Sequence, residues 1–212
     1  MAAWRQESWV ALQRGEHVDP RWSAYGEYAR LRGEGLREQA LQAASRCATS
    51  LAEGDEATRW DFTSWLCRDV LSARTTRSMV LPHPLETVVL EALWHAHAQG
   101  SGPATRWLVQ WFPVEVMASR DYATDALGDF LREGLAASPA DEALQGALAD
   151  HLLAWVRTDV ADLAHDRYDG DPDADLARLA EAETLVSPSD ARRDECAHLR
   201  QTITNWKERS GP

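Results

Sequence analysis

Apolar residues recur every three or four positions along most of the chain, the spacing of helices that each bury one side. Residues 2–15 form the first such pattern, with Trp4 and Trp9 among its apolar positions and Gly15 at its end. Asp19-Pro20 then supplies a capping side chain followed by proline at a first helical position. Trp22, Tyr25, Ala29 and Leu31 carry that pattern to about Arg32, where Gly33 and Gly35 break it. A run from Leu36 to about Leu51 places Leu36, Ala40, Leu41, Ala44, Cys47, Ala48 and Leu51 on one face, so the two segments predict a helix hairpin.

Trp60, Phe62, Trp65, Leu66, Val70 and Leu71 mark a helix from Glu56 to about Ala73. Between residues 75 and 84 the period fails, and Pro82-His83-Pro84 predicts extended backbone around His83. Leu85 to Ala98 reads as a deeply packed helix whose polar stripe is Thr87, Glu91 and His95. Ala104 to Phe112 is apolar on nearly every side, with Trp107 and Trp111 as core aromatics, and Pro113 stops it. Further helices are expected over Tyr122–Ala136, from Asp141 towards His165, from Asp175 to about Val186, and from Ser189 to about Arg209. The predicted fold is all-α, antiparallel helix pairs in a single domain over 1–212, with 75–84 as the candidate internal boundary.

Trp22, Gly26 and Gly33, followed by the Ala-rich second helix, resemble a tetratricopeptide repeat, which uses Trp, Gly, Tyr and Ala at similar offsets. Leu135-Ala-Ala-Ser-Pro139 and Thr184-Leu-Val-Ser-Pro188 resemble the helix end and closing proline of such repeats. The resemblance implies a tetratricopeptide-like array, an α-solenoid of stacked helix pairs whose concave side binds peptides or protein segments. It carries over no functional residue.

Charge changes this picture. Residues 121–175 hold fourteen Asp or Glu against three Arg, a net of −11 in a chain whose total is −12. Residues 1–78 are neutral, with eleven of each sign. On the helix expected from Tyr122, Asp121, Asp125, Asp129 and Glu133 lie four apart and stack into one stripe. Such like-charged neighbours cost roughly 0.2–0.5 kcal/mol per pair. An ordinary solvated face looks the same; as a functional feature, the stripe is a docking surface that attracts a basic protein. Asp159, Asp162 and Asp166 form a secondary patch on the next helix.

A length of 212 residues with 44% hydrophobic and 26% charged content suits a folded globular chain. The negative balance argues against nucleic acid and against anionic membrane surfaces. With no run of eighteen apolar residues, and a start that lacks the form of a signal peptide, the expected location is cytoplasmic. Cys47, Cys67 and Cys196, odd in number and set among apolar positions, suit reduced, buried thiols.

Three patterns invite a chemical reading. Asp169-Gly-Asp-Pro-Asp-Ala-Asp175 alternates carboxylates as calcium loops do, but Ala174 and Ala180 stand where an EF-hand counted from Asp169 needs Gly and Glu. Asp162 with His165, and Glu195 with His198, share the carboxylate–histidine spacing of di-iron bundles. About one such spacing is expected by chance from seven histidines and 34 acidic residues in 212. His95 and His97 face different ways on a helix, and Glu91 is the expected partner of His95. No phosphate loop, nucleophile elbow or Cys-x-x-Cys is present. The expectation is therefore a non-catalytic, cofactor-free protein-binding module, in particular a stoichiometric inhibitor or immunity-type binder of a basic protein. A metal-dependent helical enzyme and a structural subunit are the alternatives.

Overall fold

The computed structural model describes residues 9–14, 19–71, 77–161, 163, 167–187 and 189–210. Every regular element among them is helical. The chain divides into two compact units, residues 1–99 and 100–212. The division falls at the start of Gly100-Ser-Gly-Pro103.

In the first unit, residues 9–13 form α1, and a 3-10 turn (Pro20–Trp22) leads into α2 (Ser23–Gly33). The Asp19 carboxylate accepts from the Arg21 N–H at 2.9 Å, so the predicted cap is made. Gly35, at φ +78°, turns the chain in a left-handed conformation open to glycine, and α3 (Arg37–Glu53) returns along α2 as the expected hairpin. Next come α4 (Glu56–Trp65), a π turn (Leu66–Val70), the short α5 (Arg77–Val80) and α6 (His83–Ala98). The helix expected to run on to Ala73 loosens at the π turn, where the Leu71 N–H reaches back to the Leu66 carbonyl. Extended backbone is confined to Pro82. Helix α6 already begins at His83, with Pro84 in its first turn, where a missing N–H costs nothing.

Both α3 and α4 pack on α6. Beside them lies an aromatic core: Trp22, Tyr25 and Phe62 meet at ring separations of 5.2 Å (Trp22–Phe62) and 5.6 Å (Tyr25–Phe62), edge to face. The buried Tyr25 hydroxyl donates to the Val80 carbonyl at 3.0 Å, tying α5 to this core. His95 pairs with Glu56 of α4 at 2.6 Å, a contact between helices, where the sequence pointed to Glu91 on its own helix.

The second unit comprises α7 (Gly102–Trp111), α8 (Pro113–Ala118), α9 (Ala126–Ala137), α10 (Glu142–Val160), α11 (Pro172–Leu185) and α12 (Ala191–Ser210). Pro113 ends one helix and starts the next, since its fixed φ suits a first helical position. Helix α10 is the axis of the unit, touching α7, α9, α11 and α12. Its Leu144, Leu148, Leu152, Leu153 and Val156 are buried with Leu131, Leu179, Cys196 and Ile203. Each buried leucine contributes roughly 1.5–3 kcal/mol. All three cysteines are free and buried, and burial pushes the Cys47 thiol up to about 12. No helix among the described residues is long and apolar enough to cross a membrane.

Candidate functional site

The acidic stripe divides at the start of α9. Helix α8 closes with the Asp121 N–H on the Ala118 carbonyl (3.3 Å) and the Tyr122 N–H on that of Met117 (2.9 Å), the paired bonds of a Schellman motif. Asp121 and Tyr122 are both left-handed, at φ 51° and 54°. The helix expected from Tyr122 therefore starts only at Ala126, and Asp121 stands exposed in the turn before it.

Asp125 occupies the position just ahead of α9, yet its carboxylate does not cap the helix. It folds back over the first turn into space that Gly128 leaves, where a Cβ would collide with it. There Oδ2 accepts from Arg132 Nη1 and Oδ1 from His151 Nε2 of α10, both at 2.8 Å. Burial pushes the Asp125 carboxyl up, but hydrogen bonds from Arg132 and His151 outweigh that and hold it below the usual carboxylate range.

Arg132 is the hub. Its Nη1 also reaches Asp129 Oδ1 at 2.9 Å, while Nε and Nη2 grip both oxygens of Glu181 on α11 at 2.8 and 2.9 Å. Glu133 pairs with Arg120, which also lies over the Phe130 ring. Three of the four predicted stripe carboxylates are thus neutralised within the unit. Of these, Asp129 and Glu133 remain more than half exposed, at 56% and 58%.

Asp159 belongs to a second cluster, at the far end of α10. Asp175, fully buried in the first turn of α11, accepts from the Tyr168 hydroxyl and from Arg178 Nη1, each at 2.6 Å. The Asp159 carboxyl neighbours Asp175, and Gly170 supplies the space in which it sits. Burial first, then the neighbouring Asp175 charge, push the Asp159 carboxyl up, the expected response when two carboxyls share one site. Burial and Asp175 likewise push the Tyr168 hydroxyl up. The Arg178 guanidinium lies 4.7 Å over Trp155, and Trp155 meets His151 edge-on at 6.2 Å, so the two clusters form one polar seam beside α10. Asp159 therefore faces Asp175 rather than the open side of α10; Asp162 and Asp166 lie outside the described residues.

His165 of the metal alternative also lies outside the described residues, while the Glu195 carboxylate is held by both Nε and Nη2 of Arg157. In the acidic loop, Asp171 caps α11 through the N–H groups of Asp173 and Ala174, and Asp173 pairs with Lys207. Among the described residues no group of three or more His, Cys, Asp or Glu side chains is placed to hold a metal ion.

Sequence reasoning missed Arg132, His151, Glu181 and Asp175 as partners. The Asp129–Arg132 spacing of three was a visible signal, whereas the reach to His151 and Glu181 depends on how three helices pack. No protein-family profile, curated protein or solved structure matches the chain.

Proposed function

We propose that the chain is a non-catalytic, cytoplasmic protein-binding module whose second unit receives a basic protein partner. The observation that carries this reading is the distribution of charge. Residues 100–212 contain 21 acidic and eleven basic side chains, a net of −10, against −2 for residues 1–99. Most of those basic side chains, among them Arg120, Arg132, Arg157, Arg178, Arg192 and Lys207, already hold carboxylates. The excess is therefore left for an outside partner to neutralise, and it would steer a basic protein towards this unit.

The docking face of this reading centres on the exposed Asp121 and takes in Asp129 and Glu133, which Arg132 and Arg120 hold but which stay more than half exposed. Tyr122, 60% exposed at the apex of the turn, offers the kind of aromatic anchor that carries much of the binding energy in protein interfaces. Asp125 positions Arg132 and His151 behind that face. A stoichiometric inhibitor or immunity-type binder is the form the proposal takes, with the α2–α3 hairpin as one pair of a tetratricopeptide-like array.

Affinity capture from the source cell's lysate tests it, using the native chain and an Asp121→Asn, Asp129→Asn, Glu133→Gln variant that spares Asp125. A basic protein recovered in equal amount with the native chain and lost with the folded variant is the expected result. Identical recovery with both would reject the acidic face as the docking surface.

A further inference from the structure

The first unit carries a groove of the opposite character. It is a cavity of about 200 Å³ lined by Tyr28 and Arg32 of α2, Arg37, Ala40 and Leu41 of α3, Ser78 of α5, and Pro82 and His83. Arg32 is half-buried and Arg37 exposed, and neither guanidinium has a hydrogen bond or ion pair with any described residue. This contrasts with Arg21, Arg30, Arg46 and Arg68 of the same unit, which all hold carboxylates. Two cationic forks at one cavity, with no protein partner among the described residues of a chain with an excess of acid, suit a ligand that brings its own negative charge.

The backbone adds to this. Arg37 is the first residue of α3, where a positive charge opposes the helix dipole. Leu36 gives that helix no side-chain cap, and Pro82 gives none to α6, so two uncapped helix starts border the groove. An anion seated here relieves the misplaced Arg37 charge. Ser78 and His83 add a hydroxyl and an imidazole at its edge, and Tyr28, Ala40, Leu41 and Pro82 give it an apolar wall.

We propose that this groove binds a phosphate group. The side chains of Arg32 at the end of α2, Arg37 at the start of α3, Ser78 of α5 and His83 at the start of α6 line the groove from separate elements, which suits the three terminal oxygens of a phosphate better than the two of a carboxylate. The apolar wall has room for a small organic body esterified to it. The ligand is thus either free phosphate or the phosphate of a small monoester, and the proposal is independent of the acidic face of the second unit.

Calorimetric titration of the full chain with phenyl phosphate, inorganic phosphate and phenol tests it. Phenyl phosphate should bind saturably and phenol should not. Tighter binding of phenyl phosphate than of inorganic phosphate assigns an organic monoester, and equal binding assigns free phosphate. In an Arg32→Gln, Arg37→Gln variant of unchanged helix content, affinity should fall about tenfold or more, the consequence of losing charge-assisted hydrogen bonds. Should that variant not fold, amide shifts of the native protein during the phenyl phosphate titration decide the question, with Arg32, Arg37, Ser78 and His83 expected to move together. Absence of saturable binding at millimolar phenyl phosphate, undiminished binding by the variant, or shifts confined elsewhere would overturn the proposal.

Discussion

Arg132 grips Glu181 through two parallel hydrogen bonds, Nε to Oε1 at 2.8 Å and Nη2 to Oε2 at 2.9 Å, and so fastens α9 to α11. The same guanidinium holds Asp125 and Asp129. Arg132→Met keeps much of the stem packing but leaves three carboxylates facing one another. A loss of about 1–3 kcal/mol is expected, between the values for exposed and for buried ion pairs. Arg132→Lys should recover little of it, since an ammonium cannot match the two-oxygen grip. Urea unfolding of the three proteins checks this.

Asp159 gives a pH dependence of unusual sign. Its folded pKa is raised, so the native state holds a proton that the unfolded chain releases near pH 4. Its contribution is fully present below that unfolded value and is lost as pH rises through the folded one. Asp159→Asn mimics the protonated form and can donate to Asp175 at any pH. At neutral pH the variant should melt about 2–4 °C higher, the equivalent of one hydrogen bond of about 1 kcal/mol. Melting curves from pH 4 to 8 should show the gap closing towards the acid end.

Asp125 runs the other way. Its folded pKa is depressed, so its stabilisation is present above the unfolded carboxylate value and disappears as pH falls through the folded one, in the window from about pH 4 downwards. Asp125→Asn should lower stability at pH 7 and flatten the acid limb of the stability curve. Denaturant titrations at pH 7 and pH 3 separate the two effects.

Asp121 is left-handed at φ 51°, a conformation that costs an L residue roughly 1–2 kcal/mol relative to its ordinary regions. Glycine is the usual occupant of this position after a helix. Asp121→Gly should therefore raise stability by up to about 1 kcal/mol, once the greater freedom of glycine in the unfolded chain is allowed for. Thermal unfolding of the single variant measures it.

These residues also show what the sequence could reveal. Helical periodicity placed nearly every helix, because one buried side per helix is written locally: Leu144, Leu148, Leu152 and Val156 are four apart and all lie in the core. The acidic stripe was misread at one end because spacing of four implies a stripe only where the helix continues. The closing turn of α8 takes Asp121 out of register, and no glycine marks that turn. Asp125 was misread for another reason. Its partner His151 is 26 residues away and Arg132's partner Glu181 is 49 away, so both pairings are set by the packing of α9, α10 and α11 and by no local pattern. That Arg32 and Arg37 hold no carboxylate among the described residues was equally hidden, since an absent partner leaves no trace in spacing.

Hydrogen–deuterium exchange of the native chain, alone and in complex with the basic protein it captures, tests the central claim most directly. Slowed exchange at the Asp121–Tyr122 turn and through the exposed Asp129–Glu133 side of α9, with the first unit unchanged, is the predicted result. Protection confined to the first unit, with 121–133 exchanging as in the free chain, would contradict it.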